Sequence, residues 1–351
     1  MLTNSGDRKL HSFQTSPHVK PSPPDKDWRS KGDLIVSTAR NPGQHTSPIP
    51  LNGRTGRITV ASPPPPPTKK DGLELIRKLP PLPMVVTKLL QLLQRRDVSL
   101  KELSESITSD PGFSVEVLRM ANSAMIGAMS EIRSIWQALA MIGLDRVKGL
   151  ALTVGVHGFM GKNANSPVLR KTWRHTLATA ILAEEIADKI YIDPAEAYTA
   201  GLLHDIGRIA LIASNPQKYT NILGSLPGNP MRLVELEQVA YGIDHREAGV
   251  ELVRKWKLPP LFERVISRNK EPDPELRVFD CPALIELCCG LAHTMGFGIF
   301  TPTEESDWQS ECQNFITAMP EADRKRMNYC WEDLQLLVAS KVNLLDSEAF
   351  D

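Results

Sequence analysis

An imidazole and a carboxylate stand side by side at His204 and Asp205, within the run from Gly201 to Gly207, and a second imidazole, His175, precedes them by 29 residues. These residue types hold divalent cations, because imidazole nitrogen and carboxylate oxygen can replace a metal's water shell. A hydrolytic centre built from them keeps one position open for water or substrate. The spacing places His175 on the helix before the His-Asp pair, so an antiparallel arrangement faces all three donors, with His245 as a further candidate. A second reading needs no chemistry: His204 and Asp205 hydrogen-bond with each other, with His175 or with Arg208 and hold helices in register. Asp244 and Glu247 around His245 fit a helix-capping role.

The elements that must position these groups are helices. From Asp71 onward almost no segment alternates apolar and polar residues as a half-buried strand would, so an all-α body is predicted. Leu82, Val85, Val86, Leu89, Leu92 and Leu93 share one helical face. Ser99 with Glu102 and Ser134 with Gln137 show capping-box spacing, and Asp110 and Asp193 each precede a proline that starts a helix. The helix from Pro194 is expected to run to about Ile212, with His204 and Asp205 in its interior and Gly207 permitting close backbone approach. Further helices are predicted at Met231 to Tyr241, His245 to Lys257, Pro260 to Ser267 and Pro282 to Met295, with two more in the last fifty residues. A two-lobed bundle results, divided at Lys162 to Pro167.

Composition separates a tail from this body. Residues 1–70 hold twelve of the 28 prolines, including the run Pro63 to Pro67, and 11 Lys/Arg against 4 Asp/Glu, whereas the remainder carries 30 against 37. Such a segment cannot bury enough apolar surface to fold alone, so a disordered, basic, proline-rich tail is expected. It lacks the aromatic interleaving of a base-stacking surface, and nucleic-acid binding is not expected; salt-sensitive attachment to nucleic acid or membrane through the tail is the alternative. The polyproline run reads as an extended spacer. The first thirty residues lack a signal-peptide pattern, and no stretch approaches the roughly 18 apolar residues of a membrane span, so a cytoplasmic protein is expected. Five cysteines without paired Cys-x-x-Cys spacing read as reduced thiols. The chain lacks a phosphate-binding lysine loop, a dinucleotide glycine fingerprint and a Gly-x-Ser-x-Gly elbow, which sets aside those chemistries.

The pattern of a histidine, a His-Asp pair and a later aspartate resembles the HD superfamily of metal-dependent phosphohydrolases. The likeness is sharper to the HDOD domain, a divergent branch used in bacterial signalling, and runs from about Leu73 to Gly296. In the first lobe it rests on Leu79 to Pro83, Asp110 with Pro111, Leu118 to Ala124 and the Ser134 to Gly143 helix. In the second it rests on Trp173 with His175, Gly201 to Gly207, Asp244 with His245, Glu247 and Gly249, and Trp256 to Pro259. The implied domains are a tail at 1–70, an HDOD domain at 71–300 with lobes at 71–165 and 166–300, and C-terminal helices at 301–351 packing on it.

The resemblance also marks departures. Where relatives often carry a His-His pair, this chain reads Ser267, Arg268 and Asn269, and the later aspartate aligns with Cys289. The implied metal ligands are His175, His204 and Asp205, in a degenerate pocket with His245, Arg268, Asn269 and Cys289. Losing a carboxylate and gaining Arg268 both weaken a divalent site, and without a held ion water keeps its ordinary pKa. Neither catalytic residues nor a cofactor is expected, beyond a weakly bound divalent metal. The predicted function is a non-enzymatic regulatory module that binds a signalling protein. The alternative is a metal-dependent phosphohydrolase acting on a nucleotide or phosphodiester. Partner, input signal and oligomeric state have no motif.

Overall fold

The computed structural model describes residues 65–92, 95, 97–122, 131–225, 231–267, 280–299, 317, 321–326 and 330–350. Most of the expected tail, together with Leu93, Ser123 and Ala124, lies outside them. Pro63–Asp351 forms one compact unit. Its regular elements are helical among the described residues: α1 Lys69–Lys78, α2 Met84–Leu92, α3 Leu100–Thr108, α4 Pro111–Ala121, α5 Ile135–Ile142, α6 Leu144–Met160, α7 Pro167–Ala187 and α8 Pro194–Leu203. They continue with α9 Ile206–Ser214, α10 Pro216–Gly224, α11 Met231–Tyr241, α12 His245–Lys255, α13 Pro260–Ser267, α14 Cys281–Ala292 and α15 Trp331–Phe350.

Local chemistry starts these helices where the sequence predicts. Ser99 accepts from the Glu102 amide while Glu102 returns a bond to Ser99, and Asp244 and Glu247 close the same box at α12. Each such cap contributes about 1 kcal/mol. At α5 only half of the box forms, because the Gln137 carboxamide oxygen accepts from Arg133 N–H instead.

Two lobes share one continuous core. Leu82, Val85, Val86, Leu89 and Leu92 all bury, joining α2 to α3 and α6. In the second lobe α7 packs on α8 and α14, and α9 packs on α12. The long α6 touches α2, α4 and α5 on one side and α8 and α9 on the other. Although it begins the first lobe in sequence, α1 packs on α11 and α12, where Lys69 pairs with Glu247 and Arg77 with Glu251. The C-terminal α15 lies along α7, fixed by Arg170 and Arg174 on the buried Asp346 and by Lys341 on Glu185.

One helix departs from its predicted course. Instead of running from Pro194 to Ile212, the chain breaks at His204 and Asp205, so the pair sits at a junction between α8 and α9. Packing imposes the break. A Cβ on Gly201 would lie 2.6 Å from the Ala180 Cα on α7, and one on Gly207 would lie 2.0 Å from the His245 carbonyl oxygen on α12. Two glycines thus seat the flanks of the pair on different neighbours, and one straight helix cannot satisfy both.

Candidate metal centre

His175 projects from the middle of α7, His204 and Asp205 from the α8 to α9 junction, and Cys289 from the last turn of α14. Their side chains are sealed in the core, with relative exposures of 0% for His175, 3% for His204, 1% for Asp205 and 7% for Cys289. The ligand atoms of His175, His204 and Asp205 all lie within 4.8 Å of one another, and the predicted triad is assembled. The structure adds a second group that meets the same test, His175, Cys289 and His293.

His293 is the residue that sequence reasoning missed. It follows Cys289 by four positions, so both face one way from the end of α14, and its ring centroid stands 4.4 Å from that of His175. The i, i+4 spacing of a thiol and an imidazole was the available signal.

Hydrogen bonds set the ring states. The Nδ1 of His204 lies 2.6 Å from the Gly201 carbonyl oxygen, which can only accept, so Nδ1 carries a proton, and Nε2 stands 3.8 Å from Asp205 Oδ2. A backbone carbonyl holding the far nitrogen is the usual support of a metal-binding imidazole. Burial pushes the pKa of His175 down to about 4, which leaves that ring neutral, and its Nε2 lies 3.5 Å from the Cys289 sulfur. The arrangement suits a divalent cation: imidazole nitrogens, one carboxylate and a thiol that the ion itself would deprotonate.

His245 is turned to other work. Its backbone N–H and Nδ1–H donate to Glu237, at 2.9 and 2.6 Å, and its Nε2 accepts from Arg208 Nη2 at 2.9 Å. The Tyr219 hydroxyl donates to the other Glu237 oxygen. Arg208 also reaches Asp205, with Nε 3.4 Å from Oδ2, so a buried polar chain runs from Asp205 through Arg208 and His245 to Glu237 and Tyr219. Burial opposes the Arg208 charge, but Asp205, Tyr219 and Glu237 outweigh it and raise its pKa. Burial and the adjacent Arg208 cation lower the pKa of His245, whereas His245 and the other donors around Glu237 overcome its burial and keep that carboxylate ionised. The predicted capping role of Asp244 and Glu247 is realised at the same helix start. Arg268 and Asn269 lie outside the described residues.

The HDOD domain family matches residues 79–272, more than half of the chain. This chain belongs to the HDOD family. A Treponema pallidum (strain Nichols) protein described as uncharacterized is 23% identical over 202 residues, 56% of this chain and 39% of that protein. The HDOD chain thus spans about two fifths of that relative's length. A Shewanella amazonensis SB2B structure, described as a candidate phosphohydrolase, is 24% identical with a TM-score of 0.60, covering 80% of this chain and 98% of its own. A Marinobacter aquaeolei VT8 structure, described as a candidate signal transduction protein, is 18% identical with a TM-score of 0.61, covering 81% and 66%. At these identities the likeness establishes the fold. No helix among the described residues is long and apolar enough to cross a membrane.

Proposed function

We propose that this HDOD chain is a regulatory module of a signalling pathway and works by binding a protein partner, without turnover. One observation carries the reading: His175, His204, Asp205 and Cys289, the residues at the family's metal-ligand positions, are sealed in the core, none more than 7% exposed. A metal hydrolase needs an open ligand position and a path by which a phosphoryl group reaches it. Here α7, α8, α9 and α14 close around the donors. A signalling role agrees with the description of the Marinobacter relative.

The second reading, an HD-type phosphohydrolase acting on a nucleotide or phosphodiester, draws on the close approach of His175, His204 and Asp205. Turnover of p-nitrophenyl phosphate, bis-p-nitrophenyl phosphate and a panel of nucleotides, with zinc, manganese or magnesium, separates the two. We expect equal background rates for the wild type and Asp205→Ala. Turnover that depends on Asp205 overturns the proposal. Affinity capture with the full chain and with residues 1–70 deleted then tests whether a partner binds the helical body.

A further inference from the structure

We infer that this chain holds a zinc-class ion at a site to which Cys289 and His293 of α14 contribute alongside His175. Their ligand atoms lie within 4.8 Å of one another, a group distinct from the one that His175 forms with His204 and Asp205. The inference goes beyond the proposed function and does not rest on it, since an ion can be held with or without turnover.

Two independent features point the same way. The first is spacing: ligands at about 2.3 Å for sulfur and about 2.0 Å for nitrogen, at tetrahedral angles, stand roughly 3.5 Å apart. His175 Nε2 and Cys289 Sγ are separated by 3.5 Å. The second is charge. The carboxylates of Asp205 and Glu237 outnumber the Arg208 cation by one, and a divalent ion bound to one thiolate leaves this buried polar layer neutral.

Donor chemistry selects the ion. Replacing a carboxylate by a thiol shifts a site from magnesium, calcium and manganese toward zinc, because soft sulfur binds borderline-soft cations best. On binding, the Cys289 thiol gives its proton to solvent as sulfur takes the cation, so one proton leaves for each ion bound. His175 and Cys289 are buried and His293 half-buried, which leaves the fourth position of a tetrahedral ion to water. The ion would tie α14 to α7.

The test uses the full chain, purified without added metal, stripped with chelator and titrated with zinc, cobalt(II) and magnesium. We expect one equivalent of zinc, little magnesium, and a cobalt complex with tetrahedral visible bands and a near-ultraviolet thiolate-to-cobalt charge-transfer band. That band should vanish in Cys289→Ala and persist in Cys288→Ala, while His293→Asn weakens zinc binding tenfold or more. Cys289→Asp should lose the band and shift preference toward manganese. X-ray absorption on the zinc-loaded wild type needs no variant to fold, and should place one sulfur at about 2.3 Å from the metal. No stoichiometric metal, no sulfur in the wild-type spectrum, or a charge-transfer band that survives in Cys289→Ala each overturn the inference.

Discussion

Gly207 on α9 and Gly249 on α12 meet backbone to backbone, so close that a Cβ on Gly207 would stand 2.3 Å from the Gly249 nitrogen. A clash with main chain cannot be relieved by a rotamer change. Gly207→Ala must force apart the two helices that adjoin Asp205 and His245, and we expect it to cost about 3 kcal/mol. Gly158→Ala on α6, where a Cβ meets nothing within 4 Å, should be neutral or gain up to about 1 kcal/mol. Urea midpoints compare the two, and equal midpoints would count against the contact.

Arg208 lies between two buried carboxylates, touching Asp205 directly and Glu237 through His245. Removing it strands negative charge in the core. Arg208→Met should destabilise by about 3–5 kcal/mol despite its similar length. Adding Glu237→Gln should recover part of that loss by removing one of the stranded charges. A double variant no more stable than the additive sum of the singles contradicts the charge coupling.

His245 and His157 both have pKa values lowered first by burial, His245 also by the Arg208 cation against the pull of Glu237. A histidine whose folded pKa lies below its unfolded value takes up a proton in the unfolded chain first. Stability from these groups is therefore complete above the unfolded pKa of about 6.5, and is lost as pH falls from there toward their folded values. The urea midpoint of chelator-treated protein should drop between pH 7 and pH 5, and less steeply in His157→Phe. A midpoint constant over that range would refute the assignment.

Asp346 is buried on α15 and accepts from two arginines of α7, with Arg170 at 3.0 Å and Arg174 at 2.8 Å. Asp346→Ala should cost about 2 kcal/mol, since charge-assisted bonds of this kind contribute roughly 1.5–3 kcal/mol each but both arginines retain access to water. Hydrogen exchange should quicken across residues 331–350 and little elsewhere. Uniform quickening over the whole body would show instead that α15 unfolds with it.

Helix starts were legible because capping is local: Ser99 and Glu102, or Asp244 and Glu247, meet within one turn whatever surrounds them. The buried face of α2 followed equally from the spacing of its leucines and valines. The break at His204 and Asp205 was not legible, because nothing local ends that helix; contacts of Gly201 and Gly207 with α7 and α12 impose it. Arg208 appeared in sequence as a neighbour of Asp205, yet its bond to His245 spans 37 residues and depends on α9 packing against α12. His293 escaped for a similar reason, since its approach to His175 follows from how α14 lies on α7.

With Gly201 seated on α7 and Gly207 on α12, the short step between them has no slack. Imidazole and carboxylate are held at their spacing by main-chain anchors on both sides, before any cation arrives. Coordination there would need little reorganisation, so affinity would reflect the donors' chemistry with only a small penalty for arranging them. Rigidity of that kind outlasts the loss of any single ligand, because the scaffold that presents the group is independent of the group itself.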